Sequence, residues 1–268
     1  MSERKAIFIT GGGSGIGRAT ALYFAKRGWF VGIGDIDALG MEVTLDQIGN
    51  GFSYMVDLDV RDRAAWDRAL DTFSTATGGR IDVMFNNAGI GIDGPIVDNT
   101  VEEIERCLDI NLKGVIFGAQ AAFPHLRKTA PGSALINTAS AAAIWGVPNL
   151  SVYSATKFGV RSITEALDIE WAESGIRVAS LMPGFIDTPI LDSVTSDQSN
   201  MSGKQQLLEA GMEVNPVEVV PEVVWNAVHG NDVHYTVGKM AKRVRRAARW
   251  FPNRVRKEMK AAGASMGN

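Results

Sequence analysis

The sequence predicts a single α/β domain: a doubly wound parallel sheet of about seven strands with helices on both faces. Three observations predict it. Short apolar runs rich in β-branched residues alternate with segments of helical period from residue 5 to residue 238. The first run, Lys5 to Thr10, passes at once into Gly11-Gly12-Gly13-Ser14-Gly15-Ile16-Gly17 and then into a helical pattern. Polar residues stand at the C-terminal ends of several runs, the edge where open α/β sheets bind ligands. A chain of 268 residues without repeats or low-complexity segments fits one domain with a large core.

The first strand, Lys5 to Thr10, precedes a turn whose glycines permit a sharp bend and close approach of backbone to a ligand. The helix that follows carries Ala19, Leu22, Tyr23 and Ala25 at helical spacing, and its N-terminus offers free N–H groups to a pyrophosphate. The spacing Gly11, Gly15, Gly17 is G-x-x-x-G-x-G rather than G-x-G-x-x-G. The second strand, Phe30 to Gly34, ends in Asp35, where a dinucleotide fold places the carboxylate that accepts from the adenosine ribose. Such a carboxylate repels a 2′-phosphate, which favours NAD over NADP; the alternative role for Asp35 is to cap the next helix. Arg18, beside Gly17, reads as a solvated first-turn arginine, with a phosphate contact as the other reading.

The third strand is Phe52 to Leu58, closing with Asp57-Leu58-Asp59-Val60, and a helix over Arg61 to Thr77 buries Trp66, Leu70 and Phe73. The fourth, Ile81 to Phe85, runs into Asn86-Asn87-Ala88-Gly89, which is either a ligand-edge segment or an asparagine turn. One long helix is expected from Val101 to Lys128, with Asn111 on the same side as Ile104, Leu108 and Val115. A buried amide there needs a partner or a water. The fifth strand, Ala134 to Thr138, leads to Ser140 at the binding edge. A helix from Val152 to Glu173 follows, with Val160, Ile163, Leu167 and Trp171 on one side and the small residues Ala155, Gly159 and Ala166 on the other.

That helix opens with Tyr153 and Lys157, four residues apart and so on one face. An ammonium beside a phenol favours the phenolate, which makes Tyr153 a candidate general acid/base. The sixth strand, Ile176 to Met182, ends in Pro183-Gly184, and Phe185 to Pro189 leads into a polar stretch. Residues 189–215 form a candidate substrate lid. A helix over Pro221 to His229, a last short strand over His234 to Val237 and a basic helix over Lys239 to Ala262 complete the chain.

Composition narrows the classes. Hydrophobic residues at 46% and charged ones at 21% exclude a disordered or membrane-embedded chain. Cys107 is the lone cysteine, and the start Met-Ser-Glu-Arg-Lys lacks a signal-peptide pattern, so a cytoplasmic setting is expected. His125, His229 and His234 show no metal-ligand spacing, and no metal is expected. The net charge of −3 divides unevenly: residues 239–268 hold ten Lys/Arg against Glu258, or +9, leaving −12 on residues 1–238. The basic tail reads first as a solvated face, with weak contact to an anionic membrane surface, recognition of an anionic substrate or docking on another subunit as the other readings; nucleic-acid binding is not expected.

Together these motifs resemble the short-chain dehydrogenase/reductase family in its single-domain, Rossmann-type form, over nearly all of residues 5 to 238. The resemblance implies a catalytic tetrad of Asn111, Ser140, Tyr153 and Lys157. It implies cofactor contacts from Gly11, Ser14, Gly15, Ile16, Gly17, Asp35, Asp59, Val60, Asn87, Ala88, Gly89, Tyr153, Lys157, Pro183, Gly184, Ile186 and Thr188. Thr-Ala-Ser140-Ala departs from the commoner paired serines, while Ser14 and Ile36 occupy positions where a basic residue would signal NADP. The implied reaction is hydride transfer between NAD(H) and a secondary alcohol or ketone. Tyr153 carries the proton, Lys157 lowers its pKa, Ser140 holds the substrate oxygen and Asn111 holds a water. The alternatives are an NADPH-dependent carbonyl reductase of the same family and a non-catalytic NAD-binding protein.

A hydrophobic small-molecule substrate is expected from Ile90, Ile92, Ala141, Ala142, Trp145, Val147, Phe185, Leu191 and Met201 placed near the tetrad. A homo-oligomer, dimer or tetramer, is the expected assembly.

Overall fold

The computed structural model describes residues 4–49, 51–193 and 202–266. Seven parallel strands form the main sheet: β1 Ala6–Thr10, β2 Phe30–Asp35, β3 Ser53–Asp57, β4 Val83–Asn86, β5 Ser133–Thr138, β6 Ile176–Pro183 and, after two short strands, β9 His234–Val237. Their spatial order is β3-β2-β1-β4-β5-β6-β9. The order reverses between β1 and β4, which opens a crevice at the C-terminal ends of those two strands.

The strands read as continuous apolar runs because both faces are covered. Ile7 and Ile9 of β1 face a core shared with Phe24, Val31, Ile33, Phe85 and Val224. Phe8, between them, points the other way, into a core with Trp66, Leu70, Phe73, Met84 and Leu135. The covering helices are α1 Gly15–Ala25, α2 Ala38–Ile48, α3 Arg63–Ala76, α4 Val101–Leu108, α5 Gly114–Thr129, α6 Ser151–Glu170 and α8 Val220–His229. Among the described residues, no helix is long and apolar enough to cross a membrane.

Three elements differ from the sequence expectation. The helix expected from Val101 to Lys128 is interrupted by a π-helical stretch, Asp109–Lys113, between α4 and α5. The wider turn shifts the register, so Leu108 is 38% exposed while Cys107 and Asn111 are fully buried. Asn111 therefore shares its inward face with Cys107 and Val115, not with Leu108.

The single basic helix expected from Lys239 to Ala262 is two helices, α9 Lys239–Trp250 and α10 Pro252–Met266. Proline has no N–H to continue the ladder and disfavours the α conformation in the residue before it; Phe251 accordingly sits at φ −137°. The stretch expected as a lid contains a 3₁₀ turn over Pro189–Ser193, helix α7 Gly203–Glu209, and a small two-stranded pairing of β7 Phe185–Ile186 with β8 Val214–Asn215. Residues 194–201, Met201 among them, lie outside the described residues.

Candidate active site

The crevice begins with the turn from β1 into α1. Gly11 takes φ +68°, and a Cβ on Gly17 would lie 2.0 Å from the Gly11 carbonyl oxygen, so only glycine lets α1 start this close to the turn. Ser14 is the N-cap of α1, yet its hydroxyl makes no capping hydrogen bond. The first-turn N–H groups and that hydroxyl face the crevice end, an arrangement suited to an anion. Thr10 joins the two strands of the switch point: its hydroxyl accepts from the N–H groups of Asn87 (3.0 Å) and Ala88 (3.1 Å), and the Asn87 amide donates to its carbonyl (2.9 Å). Behind it, Asn86 donates to Asn137 of β5, and Asn137 donates to Thr164 of α6, so a buried amide chain fixes the C-terminal edge of the sheet against α6.

Asp35 does not cap α2, whose N-cap is Asp37. Its carboxylate accepts from the N–H groups of Gly13 and Ile36, each at 2.8 Å, and holds its position on the crevice wall. Arg18 is not a solvated residue. Its guanidinium donates to the Gly13 and Gly40 carbonyls and to Thr44, tying α1 to α2. Asp59 pairs in bidentate fashion with Arg61, which holds its carboxyl below the usual range. Asp59 and Val60 line the same end of the crevice.

At the other end, Ser140, Tyr153 and Lys157 converge. Ser140 follows β5 in extended conformation, and its hydroxyl accepts from the Ala142 N–H at 3.1 Å. Burial raises the Tyr153 hydroxyl above its ordinary value, and the neighbouring Ser140 hydroxyl opposes this in part by favouring the phenolate. Lys157 is 3% exposed, and burial drives it down to about 8. Its ammonium donates to the Thr138 carbonyl at 3.0 Å and lies 5.5 Å from the Tyr153 ring centre. The two groups are desolvated together, and the ammonium is directed at a backbone carbonyl.

Asn111 stands behind these three. Its amide closes a reciprocal pair with the backbone of Ile90, accepting from the N–H and donating to the carbonyl, both at 2.8 Å. The side chain is thus engaged by the backbone of Ile90. Through Ile90 it fixes the segment after β4 beside Lys157.

One cavity of about 610 Å³ joins the two ends, running from Asp35, Leu58 and Asp59 past Gly11 and Gly15 to Ser140, Tyr153 and Lys157. Ser14, Ile16, Val60, Asn87, Ala88, Gly89, Pro183, Gly184, Ile186 and Thr188 also line it. Gly17 and Asn111 do not line it; they support residues that do. Of the expected substrate wall, Ile90, Ala141, Ala142, Trp145, Val147, Phe185 and Leu191 line the cavity. Ile92 instead packs with Cys107 and Val152.

Sequence reasoning missed Met212 and, from the tail, Met240, Val244 and Met259. A signal was present in the basic run: Met240, Val244 and Ala248 repeat every four residues, the mark of one apolar helix face. The residues present fit a dinucleotide: glycine backbone and a helix N-terminus at the middle, a fixed carboxylate at one end, and a proton-carrying hydroxyl pair at the other.

A family model for short chain dehydrogenases matches residues 5–199. The L-2,3-butanediol dehydrogenase of Corynebacterium glutamicum is 34% identical over 204 residues, 75% of this chain and 79% of its own. A 3-alpha-(or 20-beta)-hydroxysteroid dehydrogenase of Mycobacterium tuberculosis is 36% identical over 235 residues, 87% of this chain and 85% of its own. Among solved structures, a short chain dehydrogenase/reductase from Burkholderia phymatum in complex with NAD superimposes with a TM-score of 0.81 at 25% identity, covering 93% of this chain and 95% of that one.

Proposed function

This chain belongs to the short-chain dehydrogenase/reductase family and is an oxidoreductase; from that premise we propose that it transfers a hydride between NAD(H) and a hydrophobic secondary alcohol or its ketone. The observation that carries the reading is the single cavity with a ribose-type carboxylate, Asp35, at one end and the Ser140–Tyr153–Lys157 group beside apolar walls at the other.

Gly11, Ser14, Gly15 and Ile16 would hold the pyrophosphate, Asp35 the adenosine ribose, Asp59 and Val60 the adenine. Asn87, Ala88 and Gly89 with Pro183, Gly184, Ile186 and Thr188 would enclose the nicotinamide half. NAD, when bound, supplies the hydride acceptor and a positive ring whose charge favours the phenolate. The Tyr153 oxygen takes the alcohol proton during oxidation and returns it during reduction. Ser140 donates to the substrate oxygen and stabilises the charge that develops there. Lys157, with its ammonium desolvated, has a donor to spare beyond Thr138 for a ribose hydroxyl. Asn111 positions Ile90 and hence the wall at Gly89.

NAD preference is supported by Asp35 and by the commitment of Arg18 to backbone carbonyls. The assembly we assign is a homo-oligomer joined across the groove between α5 and α6, where Phe123, Ile163, Ala166 and Leu167 meet solvent. Light scattering on the purified chain tests it, and a monomer at all concentrations refutes it. For the reaction, a panel of secondary alcohols offered with NAD and with NADP is followed by nicotinamide absorbance. Turnover of apolar alcohols with NAD is expected, rising with pH because oxidation needs the deprotonated Tyr153. A preference for NADP overturns the role of Asp35.

A further inference from the structure

The α9–α10 hairpin presents two unlike faces. Inward, Ala241 and Val255 are buried, and Met240, Val244 and Met259 supply part of the cavity wall. Outward stand the ten Lys/Arg of the tail, all exposed. Arg254 pairs with Glu258, the tail's single acid, and Arg245 donates to the His234 carbonyl. Lys242, Arg243, Arg246, Arg249, Arg256 and Lys257 have no acidic partner among the described residues.

The turn of the hairpin carries Trp250 and Phe251, 68% and 63% exposed, with the Arg249 guanidinium 5.3 Å from the Trp250 ring centre. Two adjacent large aromatics in water, ringed by unpaired cations, are costly for a face that merely meets solvent. The combination matches an interfacial lipid surface, where aromatic rings sit at headgroup level and cations meet anionic phosphates.

We propose that the outer face of α9–α10 docks on anionic lipid membranes, with Trp250 and Phe251 entering the headgroup layer. The part of the cavity wall made by the same hairpin then lies against the bilayer, and the substrate is an alcohol or ketone dissolved in lipid. The docking stands on the hairpin alone; the substrate class rests on the proposed reaction.

The test uses the full chain with vesicles of phosphatidylcholine alone or mixed with phosphatidylglycerol. Co-sedimentation with the mixed vesicles is expected, absent with the neutral ones and lost at high salt as the charges are screened. Each cation near an anionic surface contributes roughly fivefold, so Arg246→Glu with Arg249→Glu weakens binding by at least about 25-fold. Trp250→Ala with Phe251→Ala weakens it by about tenfold through lost apolar burial. None of these four residues lines the cavity, so turnover of a water-soluble secondary alcohol stays at wild-type level. Absence of that turnover in the wild type refutes the proposed reaction and leaves the docking result standing.

No binding to anionic vesicles, equal binding to neutral ones, or binding indifferent to the aromatic pair overturns the docking. So does equally tight binding to double-stranded DNA at the same salt, which marks a general polyanion surface. For delivery, the KM of a long-chain secondary alcohol is expected to be several-fold lower in anionic than in neutral vesicles, and the aromatic double variant erases the difference. Equal KM values in the wild type overturn it.

Discussion

The two ends of the cavity are built in opposite ways. The end at Gly11, Ser14 and Asp35 is made largely of backbone, small residues and two carboxylates, Asp35 and Asp59, delivered by the C-terminal ends of β1, β2, β3 and β4. The end around Tyr153 is made of side chains brought from distant parts of the chain: Ser140 after β5, Tyr153 and Lys157 on α6, and Met240, Val244 and Met259 on the hairpin. A wall made of backbone changes little when side chains are exchanged. On the proposed reaction, the other end is the one that selects among alcohols. Methionine suits such a wall because its unbranched, polarizable side chain adapts to differing apolar shapes.

If the division is right, single substitutions at the two ends have separable effects. The largest is at Tyr153, the proposed proton carrier. Tyr153→Phe removes the hydroxyl that exchanges the proton and keeps the ring, so kcat falls by roughly 10²- to 10⁴-fold. Binding of NAD, followed by fluorescence quenching, stays within about twofold of wild type. Retained turnover removes Tyr153 from the role and leaves the side-chain end without a proton carrier.

Next in size is Asp35→Ser, at the backbone end. Hydrogen bonds to a charged group contribute roughly 1.5 to 3 kcal/mol, so the ratio of kcat/KM for NAD over NADP falls by about ten- to a hundredfold. The selectivity among alcohols does not move. A shift in alcohol selectivity of similar size would break the division between the ends.

Val244→Phe is the reciprocal variant. It narrows the cavity from the hairpin side, and KM for branched or cyclic alcohols rises by about tenfold, the scale set by one or two methylenes in an apolar pocket. The KM for NAD stays unchanged. An altered NAD KM would mean that the hairpin reaches the cofactor end.

The same division explains what the sequence made legible. The glycine turn, Asp35 and the Asn87 segment were readable because each lies within a few residues of a strand end, where local spacing and spatial position coincide. The parallel sheet was readable for the same reason, as alternating runs. The Met240–Met259 wall was not, because its place in the cavity depends on how the last two helices fold back, and the basic residues around it dominate the composition. Leu108 reads from spacing as sharing the inward face of Asn111 and is exposed for a physical reason: periodicity assumes a constant turn, and the π-helical stretch at Asp109–Lys113 breaks it. The relation of Tyr153 to Lys157 was half readable. Spacing put them on one face but could not tell that both are desolvated or that the ammonium meets the Thr138 carbonyl.

That desolvation yields the smallest effect, on stability. Burial lowers Lys157 from its ordinary value to about 8 in the folded chain. Between about pH 8 and the unfolded value near ~10.5, the unfolded chain binds the proton that the folded chain has released. Stability contributed by this group therefore rises with pH across that window and is least below it. Lys157→Met removes the group, so its stability relative to wild type isolates the effect from the other titrating residues. Between pH 7 and pH 9 the wild type gains on Lys157→Met by on the order of 1 kcal/mol, measured by urea unfolding at each pH. A difference independent of pH would mean that Lys157 keeps an ordinary pKa. The side-chain end of the cavity would then be far wetter than its packing against Thr138, Gly89 and Tyr153 implies.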